Sequence, residues 1–283
     1  METDRKPFYK KLIFWQVLFL GMLVCATLVF LVLALKDILF LTFSAPQQPE
    51  TTQATTLPPP EENPYTSLDF GEDENGYLTC LTGESILGVD VSAWQETIDW
   101  QQVKNAGMEF AIIRMGGRGT SEGTLYPDSY LQANYEGAKE AGLMVGGYFF
   151  SQAITPEEAT EEANYVLSLI EGMEMDMPIV YDWEYVDEES RTANLDPRTL
   201  TDCTKAFCET IRAAGHDAMI YFNIDQSHKQ MYLEELTDYP FWLASYTTQL
   251  EYPYKIDMWQ YTNQGSVPGI NGNADINLLL KYE

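Results

Sequence analysis

The chain is short of histidine, cysteine and basic side chains: 2 His, 4 Cys and 16 Lys+Arg against 43 Asp+Glu in 283 residues, a formal net charge of −27. Each shortage removes a class of function. His216 and His228 are the only histidines, and no Cys/His group has ligand spacing, so neither a metal centre nor a cofactor is expected. No disulfide framework is evident. Cys25 lies in an apolar run, Cys80 stands apart, and Cys203 and Cys208 share a predicted helix. Their spacing there puts the Cα atoms roughly 8–9 Å apart on different faces, too far for a bridge. Residues 44–283 carry 11 basic against 40 acidic side chains. That excludes nucleic acid as a partner, because nucleic-acid binding needs a basic footprint.

Hydrophobicity, by contrast, is concentrated at one end. Residues 12–35, "LIFWQVLFLGMLVCATLVFLVLAL", carry no charge. As a helix they would span roughly 36 Å, against roughly 30 Å of bilayer hydrocarbon. Arg5, Lys6, Lys10 and Lys11 precede the run, whereas Lys36 and Asp37 cancel after it. The positive-inside bias then predicts a cytoplasmic tail at 1–11 and a transmembrane signal anchor at 12–35, with apolar character continuing to 43. Everything beyond would lie outside the cell. A cleaved signal peptide fits less well, since its apolar core is about 7–15 residues and ends in a small-residue site. Here "FSAP" puts Phe43 and Pro46 in the wrong places. Export without a disulfide framework favours a bacterial cell membrane, crossed once.

Residues 44–64, "SAPQQPETTQATTLPPPEENP", read as an extended Pro/Thr-rich spacer. Residues 65–85 fit either more spacer or an ordered lead-in strand, so the linker is set at 44–84 and the folded domain at 85–283. Within that domain short apolar runs alternate with amphipathic stretches. Strands are predicted at 86–92, 109–116, 143–150, 178–185, 218–223, 241–246, 256–262 and 274–280, with helices among the earlier ones. Thr155-Pro156 and Asp196-Pro197 each open a helix, and Glu158 completes a capping box. "KNAGMEF", "KEAGLMV" and "RAAGHDAMI" repeat a helix-Gly-strand unit, with Gly107, Gly142 and Gly215 closing the helices. The expected fold class is α/β: an irregular TIM-like barrel of five βα units followed by three β-strands, preceded by the single transmembrane helix.

"YDWEY" (181–185) places two acids in an apolar strand. Residues two apart on a strand share a face, so Asp182 and Glu184 project together at the end of strand four. In such barrels that end carries the active site. Two close carboxylates suit glycoside hydrolysis: one keeps a proton for the leaving oxygen and the other stays ionised beside the developing positive charge. On spacing alone, solvated acids just past the strand fit equally well. Asp90 ends strand one and Asp275 opens strand eight, which neighbour each other in a closed barrel, so both could join the pair. Aromatics including Trp94, Tyr148, Tyr181, Tyr221, Trp242, Tyr246 and Trp259 cluster near strand ends, where rings can stack on sugar faces.

"GVDVSAWQETIDWQQVKNAGMEFAIIRMG", "AGLMVGGYFF", "PIVYDWEY" and "MWQYTNQGSVPGINGNADINLL" together resemble glycoside hydrolase family 25, the Chalaropsis-type lysozymes. The resemblance runs from about Gly88 to Leu278. It implies an N-acetylmuramidase that cuts the β-1,4 bond between N-acetylmuramic acid and N-acetylglucosamine in peptidoglycan glycan strands. Carried over by position, Glu184 is the catalytic acid and Asp182 the second carboxylate, assisting the substrate's acetamido group or activating water. Asp90 and Asp275 complete the acidic set, and Arg114, Tyr148, Tyr246, Trp259 and Gln260 are substrate-groove candidates. Glu96 stands where the family often has Gly, and Phe149 where it often has His; both are expected to bear on subsite contacts. Two other functions fit the same fold: a catalytically silent peptidoglycan-binding protein, and a glycosidase acting on another acetamido-sugar polymer such as chitin.

Overall fold

The computed structural model describes residues 57–282. The expected cytoplasmic tail, membrane anchor and first part of the spacer lie outside the described residues. Among the described residues no helix is long and apolar enough to cross a membrane.

Eight strands close into a barrel. In chain order the barrel strands are β3 (Glu84–Val91), β4 (Phe110–Arg118), β6 (Met144–Ser151), β7 (Ile179–Trp183), β8 (Ala218–Asn223), β9 (Phe241–Ala244), β10 (Met258–Gly265) and β11 (Ala274–Lys281). The strands from β3 to β10 run parallel to their neighbours, whereas β11 lies antiparallel between β10 and β3 and closes the ring. Helices α1 (Trp100–Asn105), α2 (Leu131–Glu140), α3 (Pro156–Leu169), α4 (Pro197–Ala213) and α5 (Ile224–Lys229) follow the first five barrel strands. This is the predicted alternation, and the last three strands follow without an α-helix between them.

The local signals act as anticipated, with one change. Thr155 accepts from Glu158 N and Asp196 from Arg198 N and Thr199 N, each ahead of a proline in the first turn. The Glu158 carboxylate, however, reaches back to Ile154 N instead of the cap residue itself. Gly107, Gly142 and Gly215 have φ of 98°, 77° and 91°, the left-handed conformation that ends a helix without a Cβ penalty.

Part of the stretch assigned to the spacer belongs to the barrel instead. β1 (Phe70–Glu72) and β2 (Leu78–Cys80) form an antiparallel hairpin. Its buried Phe70 packs edge-on against Trp259, ring centroids 5.2 Å apart. Upstream, Asn63 N donates to Pro253 O and Lys255 N to Glu61 O. Polar composition concealed this segment, because a short buried set, Phe70, Leu78 and Cys80, and a series of backbone pairs hold it rather than a long apolar stripe. β5 (Leu125–Pro127), a short strand paired with the end of β4, was also not foreseen.

The pleat sorts side chains into two cores. Phe110, Ile112, Met177, Val180, Met219, Trp242 and Met258 fill the barrel interior. Ile113, Phe149, Ile179, Tyr181, Trp183, Phe207, Phe222 and Trp259 pack outside the strands, against helices or the hairpin. At Gly88 a Cβ would meet the Phe110 ring at 2.4 Å, so the glycine two residues before Asp90 lets β3 pass the interior packing.

Candidate active site

The inward-facing phase of each strand ends in a polar layer. On β7, Val180 faces the apolar interior, Asp182 lies above it and Glu184 follows just past the strand. β11 runs in the opposite sense, so its first residues reach the same end of the barrel, and Asp275 pairs in register with Asp90. Asp90, Asp182, Glu184 and Asp275 line one pocket of about 140 Å³, together with Tyr148, Tyr221, Trp242, Tyr246 and Gln260.

Two amides fix Asp90. Its Oδ2 accepts from Gln260 Nε2 at 2.7 Å and Asn277 Nδ2 at 2.8 Å. Trp242 Nε1 in turn donates to Asn277 Oδ1, and the Tyr221 and Tyr246 hydroxyls both donate to Gln260 Oε1. With every amide group engaged, neither side chain is free to flip. Asp182 contrasts with this: it is 4% exposed, and its buried Oδ1 accepts no protein hydrogen bond.

All four carboxyls hold their protons more tightly than usual. Burial, then the nearby Asp275, pushes Asp90 up to about 8, against the lowering effect of Asn277 and Gln260. Burial, then Glu184 and Asp90, pushes Asp182 well up, while Arg114 opposes the shift. Glu184 is raised by burial and then by Asp275. Burial raises Asp275 to about 6. Like charges in a poorly solvated pocket resist joint ionisation, so the cluster retains protons. An acid that keeps its proton near neutral pH, beside carboxylates that can stabilise positive charge, is equipped for acid-assisted cleavage of an acetal.

The predicted groove residues divide. Tyr148, Tyr246 and Gln260 line the pocket. Arg114 lies at its edge, its Nε bound to Asp128 at 2.7 Å. Asp128 also accepts from Ala93 N and Tyr130 N, tying the loop after β3 to the segment after β5. Trp259 does not reach the pocket. It is 0% exposed, faces Phe70 and Tyr261 on the outer side of β10, and donates to Ser245 O. Adjacent residues on a strand face opposite ways, so Trp259 and Gln260 could not both face the mouth. Phe149 likewise points outward and stacks on Phe207, away from any subsite. Glu96 has φ 53°, the one positive φ outside glycine among the described residues. That is a strained conformation for a side-chain-bearing residue, and one that glycine adopts freely. Asn277 was missed as a site residue, although it shares a face with Asp275 two positions away.

A family model for glycosyl hydrolases family 25 matches residues 89–270. Lysozyme M1 of Streptomyces globisporus is 30% identical over 221 residues, covering 74% of this chain and 72% of that protein. The autolytic lysozyme of Clostridium acetobutylicum is 29% identical over 194 residues, covering 67% of this chain and 54% of its own length. Among solved structures, the modular autolysin LytC of Streptococcus pneumoniae, in complex with a synthetic peptidoglycan ligand, superposes with a TM-score of 0.63. It is 25% identical, over 74% of this chain and 49% of LytC. The bacterial lysozyme of Streptomyces coelicolor gives a TM-score of 0.53 at 26% identity, over 69% of this chain and 91% of that one. The chain thus spans about half the length of the Clostridium lysozyme and of LytC. A match across most of the closed barrel, including three of the four clustered acids, establishes that the chain belongs to glycosyl hydrolases family 25.

Proposed function

We propose that the chain is a membrane-anchored N-acetylmuramidase that cuts the β-1,4 bond between N-acetylmuramic acid and N-acetylglucosamine and remodels the wall of its own cell. The observation that carries this reading is the convergence of Asp90, Asp182, Glu184 and Asp275 on one aromatic-lined pocket in a family 25 barrel. The charge-free run at 12–35 and the basic residues before it support a single-pass anchor in a bacterial cell membrane, with the barrel outside.

Glu184 supplies the proton. It lies past the end of β7 and is less buried than Asp182, and burial and Asp275 raise its proton affinity, which favours the protonated form that serves the glycosidic oxygen. Asp182 sits deeper, where burial, Glu184 and Asp90 raise its proton affinity and Arg114 partly offsets them. In its ionised form it assists the substrate's acetamido group or activates water. Asp90 stays fixed by Gln260 and Asn277, and Asp275 raises the proton affinity of Glu184. Tyr148 and Tyr246 offer ring faces and hydroxyls to the sugars.

The test is digestion of purified peptidoglycan by the full-length chain in detergent, with Glu184→Gln as control. Products are reduced with borohydride and identified by mass spectrometry. Muropeptides ending in reduced N-acetylmuramic acid, absent from the control, are the expected result. Ends in reduced N-acetylglucosamine would move the cut to the other bond. Co-sedimentation with the wall without cleavage would convert the reading to a silent binding protein.

A further inference from the structure

Glu184 has no strand to hold it. The last β7 residue paired with β6 is Trp183, opposite Ser151, and pairing with β8 stops one residue earlier, at Asp182 and Tyr221. Two buried glutamines take over where the ladder ends. Gln226 Nε2 donates to Trp183 O at 2.6 Å, and Gln152 Nε2 donates to Glu184 O at 3.0 Å. Gln152 follows Ser151 directly, so its side chain continues the β6–β7 ladder by one rung.

Both amides are pinned. The second Gln152 Nε2 proton goes to Ser151 O, and its Oε1 accepts from Thr192 Oγ1 at 2.7 Å. Its backbone N donates to Glu162 Oε1 and its backbone O accepts from Arg191 Nη1. Glu162 is fixed in turn by Arg118 Nε at 2.7 Å and Ser151 Oγ at 2.6 Å. Gln226 Oε1 accepts from Asn223 N as part of a capping box that opens α5. Gln152 is 0% exposed and Gln226 2% exposed, so neither faces solvent. A buried amide with all its groups engaged is a rigid support, since turning it would strand donors and acceptors.

We infer that Gln152 and Gln226 are positioning residues that aim the Glu184 carboxyl, with the Glu162–Arg118 pair bracing Gln152 from outside the barrel. Neither glutamine touches substrate, so the signature is in turnover rather than binding. This rests on Glu184 being the catalytic acid. In the full-length chain, Gln152→Met keeps the volume and removes the donor. Its kcat on solubilised glycan strands falls roughly 10- to 100-fold, the scale of a misplacement of about 1 Å, while KM stays within about twofold. Gln152→Glu restores the donor only when its carboxyl is protonated, so its kcat relative to wild type climbs as pH falls. A side chain that merely fills space would give a deficit flat across pH. Gln226→Met shows the same split and carries the test should Gln152→Met fail to fold.

Hydrogen exchange over residues 183–186 gives a readout that needs no activity. It quickens in both methionine variants while the rest of β7 stays protected. Wild-type kcat in both variants, or a loss confined to KM, overturns the clamp, as does unchanged exchange. A wild-type chain that cleaves no glycan but shows faster exchange in the variants would keep the clamp and sink the muramidase reading instead.

Discussion

Two groups of acidic side chains in the barrel are withdrawn from solvent and treated oppositely. Behind the barrel wall, Glu162 on α3 is 0% exposed and accepts from Arg118 Nε, Ser151 Oγ and Gln152 N. At the mouth, Asp90, Asp182, Glu184 and Asp275 share one pocket; the nearest guanidinium, Arg114, is bound to Asp128, and Asp182 Oδ1 accepts nothing. Both places shift proton affinity upward, to about 7 at Glu162 and about 8 at Asp90, with burial the leading cause in each. A raised carboxyl therefore does not distinguish a structural acid from a functional one. The distinction lies in the partners. Glu162 has a cation and two further donors, and it braces the fold. The mouth sets like charges beside each other in a poorly solvated pocket, an arrangement that costs stability and marks a functional site.

The largest expected effect separates the two sites by activity. Glu184→Gln keeps the shape of the pocket and removes the transferable proton, so kcat on glycan strands falls roughly 10²- to 10⁴-fold. Glu162→Gln, equally isosteric, keeps an acceptor for Arg118 and loses far less. Steady-state turnover on the same substrate measures both. Comparable losses in the two variants would erase the division between bracing and reacting acids.

The mouth was legible in the sequence because strand alternation is a strict rule. The D-x-E pair, Asp90 and Asp275 follow from a period of two and from the closure of strand eight on strand one. The same rule separates Trp259 from Gln260, and applied residue by residue it also brings Tyr221 and Trp242 inward. The bracing site was not legible. Glu162 sits in "EEATEE", where helical rotation alone decides which acid turns toward Arg118 and which toward water. Its neighbour Glu161 also meets Arg118, yet its side chain is 60% exposed. Gln152 gave no signal either, since its role depends on where two strands happen to end. The hairpin at 70–80 was hidden for another reason: its turn residues are acidic and polar, and only Phe70, Leu78 and Cys80 mark its buried face.

A smaller effect appears in stability. Arg118→Met leaves Glu162 buried without its cation, and breaking a buried pair from one side costs about 3–5 kcal/mol, or roughly 10 °C in Tm for a domain this size. The loss should depend on pH. The folded Glu162 carboxyl already titrates near 7, above its ordinary value of 4.5, and losing Arg118 raises it further. A folded pKa above the unfolded one means that the native state holds more protons in that window, so stability falls as pH rises through it. The variant is therefore hurt less at pH 5 than at pH 8. Thermal melts at the two pH values measure the difference, and an equal loss at both would mean that Glu162 is not the group left exposed to the missing charge.

The smallest effect has the opposite sign and belongs to the mouth. The folded Asp275 carboxyl titrates near 6 against 3.8 for an unperturbed one. Below 3.8 both states are protonated and burial of the group costs nothing electrostatic. Between those values the native state holds the extra proton, and above about 6 the full cost of burying the charge is present. Asp275→Asn removes that cost, so it stabilises the protein at pH 8 by at most about 3 kcal/mol, the equivalent of a shift of about two pH units, and by little at pH 4. Glu184 and Asp90 lose a neighbouring negative charge in the same variant, so their own titrations move down. The alkaline limb of the turnover profile should move down with them, because Glu184 then gives up its proton at a lower pH. A mutation that makes the fold stronger while lowering the pH at which Glu184 loses its proton would show that the instability of the mouth is the source of its chemistry. A Tm gain without a change in the pH profile would show instead that Asp275 is as structural as Glu162.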